Sequence, residues 1–155
     1  QWPYVLSVGD LQPRKNQIGL IAAFDELMTH YPELPHHLML VGKPTWFAPR
    51  VYEAARQSRH AARIHFTDFV SDDDLLNLYN AAELFVYPSF YEGFGLPILE
   101  AQACGCAVAC SNTSAMPEVA DAAALLFNPE SQEELVRAMR DLLMDGELRE
   151  RMVRQ

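Results

Sequence analysis

Short apolar runs alternate with longer amphipathic segments along this chain. The runs are rich in β-branched and aromatic residues, which favours strands, and they are Tyr4 to Val8, Leu38 to Val41, Ile64 to Phe66, Leu84 to Tyr87, Ala107 to Cys110 and Ala124 to Phe127. Regular alternation of strands with helices indicates βαβ units. We therefore predict a Rossmann-like α/β domain, in which helices cover both faces of a doubly wound parallel sheet.

Helical periodicity is clearest in the segment behind Ser71. Its apolar residues fall at positions i, i+3, i+4 and i+7, which form one face of a helix: Leu75, Leu78, Tyr79 and Ala82. Ser71 is a suitable N-cap, and the three aspartates that follow it suit the positive end of the helix dipole. The aspartates are therefore explained without a metal.

Three further segments are predicted to be helical. Ser131 and Glu134 have the spacing of a capping box, ahead of an apolar stripe made of Leu135, Met139, Leu142 and Leu143. Asn16 is expected to cap another helix, whose apolar residues are Ile18, Ile21, Phe24 and Met28. Residues 48–60 are a less periodic candidate. Because the chain ends in what reads as an unfinished helix, we expect residues 1–155 to be one domain excised from a longer protein.

Composition and charge exclude several classes of protein. With 12 basic against 21 acidic residues, the chain cannot readily supply the broad basic surface that a nucleic-acid binder needs. A small anion needs only a few local cations, which Arg14 and Lys15 could supply. No apolar run approaches the roughly 18 residues of a membrane span, and no segment has the pattern of a signal peptide. A cytoplasmic protein is therefore expected.

The three cysteines lie close together in sequence, at Cys104, Cys106 and Cys110. No histidine is near them, and their spacing suits neither a disulfide framework nor a zinc knuckle. Free cysteine packs as a small apolar residue. We therefore predict buried thiols.

Ligands bind such sheets outside the carboxyl ends of the strands. The loops expected there comprise residues 9–15, 42–46, 67–70, 89–97 and 111–116. In the fourth loop Gly93 and Gly95 would let the backbone approach a ligand, and the start of the following helix would offer free amides to a phosphate. An ordinary turn between a strand and a helix is the alternative.

Charged residues in these loops suggest the rest of a site. Arg14 and Lys15 could neutralise a diphosphate, whose negative charge grows as its bond to a sugar breaks. Glu92 could accept hydrogen bonds from two vicinal sugar hydroxyls. Glu100 lies about one turn into the following helix and should be exposed or hydrogen-bonded. Each of these four residues could instead be a solvated surface residue.

The loops after the second and third strands offer a place for a flat base. They combine Gly42, the aromatic Phe69 and exposed amides. Trp46 and Phe47 add apolar surface, which core packing or contact with a missing domain would explain equally well. His65 falls within a strand and is interpreted as structural.

Three blocks together resemble the family 4 retaining glycosyltransferases: GDLQPRKN at 9–16, EGFGLPILEA at 92–101 and SNTSAMPEV at 111–119. The match runs from about Tyr4 to the end of the chain. The resemblance implies the carboxy-terminal domain of a GT-B fold, which binds the nucleotide sugar and faces an acceptor domain absent from this chain. After Glu118 the family often has Gly-Asp where this chain has Asp121-Ala122, so the geometry of that loop is expected to differ.

The resemblance also implies roles for individual residues. The basic pair Arg14 and Lys15 would hold the donor diphosphate, and Glu92 would bind hydroxyls of the transferred sugar; these three are the predicted catalytic residues. Glu100 would meet the ribose, and the loop at Phe69-Val70 would meet the base. The full set predicted to bind the nucleotide sugar is Gly9, Gly42, Phe69, Val70, Gly93, Phe94, Gly95, Leu96 and Glu100.

The reaction implied by the resemblance transfers a sugar, with retention and without a metal or other cofactor. The donor would be a UDP- or GDP-linked sugar of the mannose or glucose type, and the acceptor a glycan or lipid-linked glycan in polysaccharide or lipopolysaccharide biosynthesis. The full-length protein would then associate peripherally with the inner face of the membrane, and the isolated domain would bind its donor without turnover.

Three other functions remain open from the sequence. A non-catalytic nucleotide-sugar binding module could keep the phosphate loop, although the presence of Glu92 argues against it. An epimerase or a phosphorylase could share the GT-B architecture. A dinucleotide-binding domain would need Gly-x-Gly-x-x-Gly after the first strand, where this chain has Gly-Asp-Leu-Gln-Pro-Arg from Gly9 to Arg14.

Overall fold

The computed structural model describes residues 2–155, which contain six strands interleaved with helices. The strands are β1 (Tyr4–Val8), β2 (His37–Val41), β3 (Ile64–Thr67), β4 (Leu84–Tyr87), β5 (Ala107–Ser111) and β6 (Leu125–Phe127). The helices are α1 (Gln17–His30), α2 (Ala48–Gln57), α3 (Asp72–Ala81), α4 (Leu96–Ala103), α5 (Met116–Ala120), α6 (Gln132–Met144) and α7 (Gly146–Arg154). Short 3₁₀ turns occupy Pro13–Lys15 and Ala61–Arg63.

The strands form one parallel sheet in the order β3-β2-β1-β4-β5-β6. The predicted Rossmann-like, doubly wound sheet is therefore confirmed. Strand order reverses between β1 and β4, and ligands of such sheets bind in the crevice at this switch point. The loops that follow β1 and β4 flank that crevice, and they carry two of the three sequence blocks.

Side chains from both faces of the sheet are buried, as helices on either side require. In β1, Val5 packs towards α1, α2 and α6, whereas its neighbour Leu6 packs towards α3, α4 and α5. Both are fully buried. The six predicted strands agree with the structure to within one residue at each end, because an apolar run buried on both faces is a strong local signal.

The predicted caps of α3 and α6 are largely confirmed. The Ser71 hydroxyl accepts a hydrogen bond from the Asp74 amide at 3.1 Å, and the Ser131 hydroxyl accepts one from the Glu134 amide at 3.2 Å. The capping box is only half formed, however. The Glu134 side chain accepts from the Asn128 amide at 3.0 Å instead of from the amide of Ser131.

The predicted N-cap position of α1 is confirmed, but its side chain does not cap the helix. Asn16 occupies the N-cap position, but it also ends the turn Pro13–Lys15 and adopts a left-handed conformation (φ 59°), from which its side chain makes no capping bond. Ile18 is 37% exposed, so it does not belong to the buried face. That face consists of Leu20, Ile21, Ala23, Phe24, Leu27 and Met28.

Two smaller expectations can be judged against the described residues. Cys106 and Cys110 are buried and Cys104 is half-buried, and all three are free thiols. Burial raises the pKa of Cys106 and of Cys110 to about 12, so both stay protonated. Helix α2 ends at Gln57, before the predicted limit at residue 60. Among residues 2–155, no helix has both the length and the apolar content needed to cross a membrane.

Candidate functional site

The structure brings Arg14, Lys15 and Glu92 into one cluster at the switch point. Oε2 of Glu92 accepts hydrogen bonds from Arg14 Nη1 at 3.0 Å, from Lys15 Nζ at 2.7 Å and from Ser89 Oγ at 2.9 Å. The side chains of Lys15 and Glu92 are only 12% and 8% exposed, whereas that of Arg14 is 48% exposed. The three predicted catalytic residues are therefore neighbours, and Arg14 is the one most open to solvent.

The basic pair is held in place by the backbone around it. Arg14 and Lys15 lie on a 3₁₀ turn. The carbonyl of Arg14 accepts a hydrogen bond from the Phe90 amide at 2.8 Å. The buried Asn16 follows directly, and its Nδ2 donates to the carbonyls of Pro88 at 3.0 Å and Pro129 at 3.2 Å. One amide group therefore joins the loops that follow β1, β4 and β6.

The stem of Lys15 passes beside Gly9 on its way to Glu92. A Cβ atom on Gly9 would lie 3.1 Å from Cδ of Lys15, so the absence of a side chain there makes room for the lysine stem. Nζ of Lys15 also donates to Oη of Tyr87 at 3.1 Å. Burial, together with the negative charge of Glu92, raises the pKa of Tyr87, which keeps its hydroxyl protonated.

Glu92 is ionised despite its burial. Burial by itself would raise its pKa, but hydrogen bonds from Lys15 and Ser89 and the charges of Lys15 and Arg14 outweigh that effect and hold the pKa below its ordinary value. Within residues 2–155, every hydrogen bond to this carboxylate goes to Oε2. Oε1 therefore remains an acceptor for a ligand.

The start of α4 provides backbone donors beside the cluster. Gly95 precedes this helix with a φ of 88°, a left-handed conformation that glycine adopts without strain. In the part of the chain that the structure describes, the amides of Gly93, Phe94, Gly95 and Leu96 have no hydrogen-bond acceptor. Free amides at a helix start attract anions, so this segment can take a phosphate.

Glu100 lies apart from the cluster. Its Oε1 accepts from Oη of the buried Tyr79 at 3.0 Å, and burial followed by the charge of Glu100 raises the pKa of Tyr79. Glu100 opens onto a groove of about 480 Å³ between α3 and α4. Within residues 2–155 no hydrogen bond or ion pair joins it to Glu92, Arg14 or Lys15.

The loops proposed to meet the base are partly open. Phe69 is 74% exposed, and Nζ of Lys43 lies 5.9 Å from the centre of its ring. Trp46 is also exposed. Gly42 has a packing role, because a Cβ atom there would lie 1.9 Å from the carbonyl oxygen of Gly9. The loops after β1 and β2 can approach this closely only with glycine at position 42.

Four residues of the site were not predicted from the sequence to belong to it. Ser89 and Tyr87 bind Glu92 and Lys15, Asn16 ties the basic turn to its neighbours, and Ser114 Oγ accepts from the Glu92 amide at 3.0 Å. Tyr87 ends an apolar strand at the edge where ligands bind, so its hydroxyl was a usable signal. Ser114 lies in the third sequence block, whose contact with Glu92 depends on the tertiary fold.

A metal site is not apparent in the part of the chain that the structure describes. Residues 2–155 contain no group of three His, Cys, Asp or Glu side chains arranged to hold a metal ion. The cationic side chains of the cluster are those of Arg14 and Lys15, which converge on Glu92.

Comparison with known sequences gives consistent matches. The family model described as "Glycosyl transferases group 1" matches residues 2–155. The O-antigen chain mannosyltransferase B of Escherichia coli is 39% identical over 147 residues, which cover 95% of this chain and 38% of that protein. The D-inositol 3-phosphate glycosyltransferase of Rhodococcus jostii (strain RHA1) is 34% identical over 116 residues, 72% of this chain and 26% of that protein. The chain therefore spans less than half the length of these relatives.

Solved structures share the fold. The C-terminal domain of a glycosyl transferase group 1 family protein (LpcC) from Francisella tularensis superposes with a TM-score of 0.84 at 27% identity, covering 98% of this chain and 82% of that one. Sucrose-phosphate synthase from Thermosynechococcus elongatus gives a TM-score of 0.86 at 27% identity, covering 99% of this chain and 39% of that one.

Proposed function

Because the chain belongs to the group 1 glycosyl transferases, we propose that it is the donor-binding half of a GT-B enzyme that transfers a sugar from a nucleoside diphosphate. The acceptor would be held by another domain. The observation that carries this proposal is the cluster of Arg14, Lys15 and Glu92 at the switch point, beside the free amides that begin α4. This arrangement offers positive groups to a diphosphate and an ionised carboxylate to a sugar.

Arg14, Lys15 and the α4 amides are proposed to bind the diphosphate. As its bond to the sugar breaks, negative charge accumulates on the diphosphate, and fixed cations and amides lower the barrier by stabilising that charge. Lys15 is well placed for this because Tyr87 and Asn16 restrain its position before any ligand arrives. In this proposal these groups supply the charge that a metal would otherwise supply, so transfer is metal-independent.

Glu92 is proposed to orient the sugar. Its free oxygen, Oε1, can accept a hydrogen bond from a sugar hydroxyl, and such bonds to an ionised carboxylate are about twice as strong as neutral ones. Transfer with retention would follow if the acceptor attacks from the face on which the diphosphate leaves. The diphosphate oxygen would then take the proton of the acceptor hydroxyl.

Glu100, Phe69 and Val70 are proposed to surround the nucleoside, with Gly42 shaping the loop beside them. Glu100 opens onto the groove between α3 and α4, where the second oxygen of its carboxylate could accept from ribose hydroxyls. Phe69 presents an exposed ring on which a base could stack. Gly9 and Gly42 contribute indirectly, since they let Lys15 and two loops pack closely.

The relatives favour particular substrates. Several are named mannosyltransferases, including one for the O-antigen chain, which favours a UDP- or GDP-linked donor of the mannose or glucose type. A glycan or lipid-linked glycan is then the acceptor, in polysaccharide or lipopolysaccharide biosynthesis. The complete protein would work in the cytoplasm, at the inner face of the membrane.

Thermal melting of the chain with a panel of nucleotides tests this proposal. We expect UDP or GDP and the matching nucleotide sugar, at about 100 times the dissociation constant, to raise the melting temperature by roughly 5–10 °C. The same ligands at the same concentration should raise the melting temperature of Lys15→Ala by at most about half as much. Stabilisation by NAD and not by any nucleotide sugar would instead support a dinucleotide-binding domain and contradict the proposal.

A further inference from the structure

We propose that Glu92 also acts as a counter-ion that weakens the hold of Arg14 and Lys15 on the nucleoside diphosphate product. This inference rests on the proposed function, because it concerns the same site. It assigns Glu92 a part in product release, in addition to its proposed contact with the sugar.

The geometry points to this role because both cations converge on one atom. Oε2 of Glu92 lies 2.7 Å from Nζ of Lys15 and 3.0 Å from Nη1 of Arg14. The groups that would hold the diphosphate therefore already have an anionic partner when no ligand is present. A diphosphate has to share these cations with Glu92 or draw them away from it.

Charge in the cluster is balanced differently with and without the sugar. Arg14, Lys15 and Glu92 together carry one net positive charge, since Glu92 is ionised. A hydroxyl of the donor sugar could donate a hydrogen bond to the free Oε1, which would spread the negative charge of the carboxylate. Once the sugar has moved to the acceptor, that hydrogen bond is lost, and the carboxylate again faces the negatively charged diphosphate at short range.

Low exposure makes this repulsion effective. Glu92 and Lys15 are 8% and 12% exposed, so water screens their interactions much less than it screens surface charges. Release of product limits the turnover of many enzymes. A buried carboxylate that repels the product, and that is partly neutralised by the donor, favours exchange of product for new donor.

Glu92→Gln separates the two roles of this residue, because they predict effects of opposite sign. Glutamine keeps the shape of the side chain and one acceptor oxygen, but it removes the charge. We therefore expect the affinity for GDP or UDP, whichever the wild type binds, to rise by about 10-fold. The affinity for the matching nucleotide sugar should rise less or fall, because the charge-assisted hydrogen bond to the sugar is weakened.

Isothermal titration calorimetry on the chain measures both affinities. Glu130→Gln is the matched control, because it removes one exposed carboxylate at the same edge of the sheet that makes no hydrogen bond or ion pair within residues 2–155. We expect its GDP or UDP affinity to change less than about 2-fold. Glu92→Ala also removes the charge and should tighten GDP or UDP binding as well. Melting curves establish which variants are folded.

The outcomes distinguish this inference from the proposed function. If the wild type binds UDP or GDP but neither neutral variant binds it more tightly, the counter-ion role is wrong and the donor site stands. If both variants fail to fold, Glu92 is required for the structure and the proposed role in release is also wrong. If the wild type binds no nucleoside diphosphate, the proposed function fails and this inference fails with it.

Discussion

Polar groups at the two edges of the sheet differ in how fully they are hydrogen-bonded within the domain. At the carboxyl edge, Glu92 and Lys15 are buried charges, and the amides that begin α4 have no acceptor within residues 2–155. At the amino edge, polar groups mostly find protein partners. Nδ1 of His37 and Nε2 of His65 share a hydrogen bond of 2.8 Å, and Nη2 of Arg63 donates to the carbonyl of Leu34 at 2.9 Å.

This difference shows where hydrogen-bond donors and acceptors remain available for a ligand. Buried polar groups are costly unless they are satisfied, and most of those at the amino edge are satisfied within the domain, for instance where Nε of Arg63 donates to the carbonyl of His36 at 2.9 Å. Nδ1 of the buried His36 is an exception, since it has no hydrogen-bond partner within residues 2–155. The carboxyl edge meets this cost only in part. The groups that remain free there are acceptors and donors for a ligand, which agrees with the general position of ligand sites in parallel sheets.

Substitution of Gly42, at the carboxyl edge, should have the largest effect on stability. In Gly42→Ala the new Cβ atom would lie 1.9 Å from the carbonyl oxygen of Gly9, and we expect a loss of about 3 kcal/mol or more in the free energy of unfolding. The matched control is Gly93→Ala, since nothing lies within 4 Å of its Cβ position. Urea denaturation compares the two; an equal loss in both would show that close approach of the loops is not what position 42 requires.

Asn16 should give the next largest effect. In Asn16→Asp the two hydrogen bonds to Pro88 and Pro129 are lost and a carboxylate faces two carbonyl oxygens, so we expect a loss of about 2 kcal/mol. Asn16→Gly loses the same bonds without the repulsion and suits the left-handed backbone, so its loss should be smaller. The order of the two variants in urea denaturation checks this; equal stability of wild type and Asn16→Asp would contradict the bracing role.

A substitution of Asp121 tests the amino edge. This residue follows α5, and its backbone has φ 54° and ψ −142°. This conformation favours glycine, which the resemblance places at this position. We expect Asp121→Gly to raise the free energy of unfolding by about 1 kcal/mol, because it relieves strain of that order. Ala122→Gly, next to it, should lower stability slightly. A loss of stability in Asp121→Gly would mean that the side chain of Asp121 outweighs the strain.

The smallest effects concern pH, and the two edges should lose stability in different ranges. Burial and the nearby charges of His65, Arg63 and His36 lower the pKa of His37, so its contribution is present above the unfolded value of about 6.5 and is lost as pH falls below it. The pKa of Glu92 is also lowered, so its contribution is lost only below about pH 4.3. Unfolding measured against pH should show a flatter profile near pH 6 in His37→Gln and a flatter profile below pH 4.3 in Glu92→Gln. Unchanged profiles would contradict these assignments.

The sheet could be predicted from the sequence because its strands are apolar on both faces. Each buried run carries its own signal, and alternation with helices leaves few possible topologies. The position of the site followed from the same rule, since the carboxyl ends of the strands are where ligands bind. Residues such as Arg14 and Glu92 could therefore be assigned to one edge before any contact between them was known.

Other features depend on contacts between distant parts of the chain. Asn16 has the sequence signature of a cap, but the turn before it imposes a left-handed backbone that turns its side chain towards Pro88 and Pro129. The bond from the Asn128 amide to the Glu134 carboxylate is local by contrast, but the capping-box spacing does not specify it, because the turn from Asn128 to Ser131 brings that amide to the start of α6. The convergence of both cations on a single oxygen of Glu92 requires β1 and β4 to be neighbours in the sheet.

The affinity of the chain for a nucleoside diphosphate, measured by calorimetry in Arg14→Ala and Lys15→Ala, tests the central claim most directly. Arg137→Ala is a suitable control, because its side chain is 53% exposed against 48% for Arg14 and also pairs with a glutamate. We predict that both site variants bind UDP or GDP at least about 10-fold more weakly than the wild type, whereas Arg137→Ala does not. Wild-type affinity in both Arg14→Ala and Lys15→Ala would contradict the assignment of this cluster to the donor diphosphate.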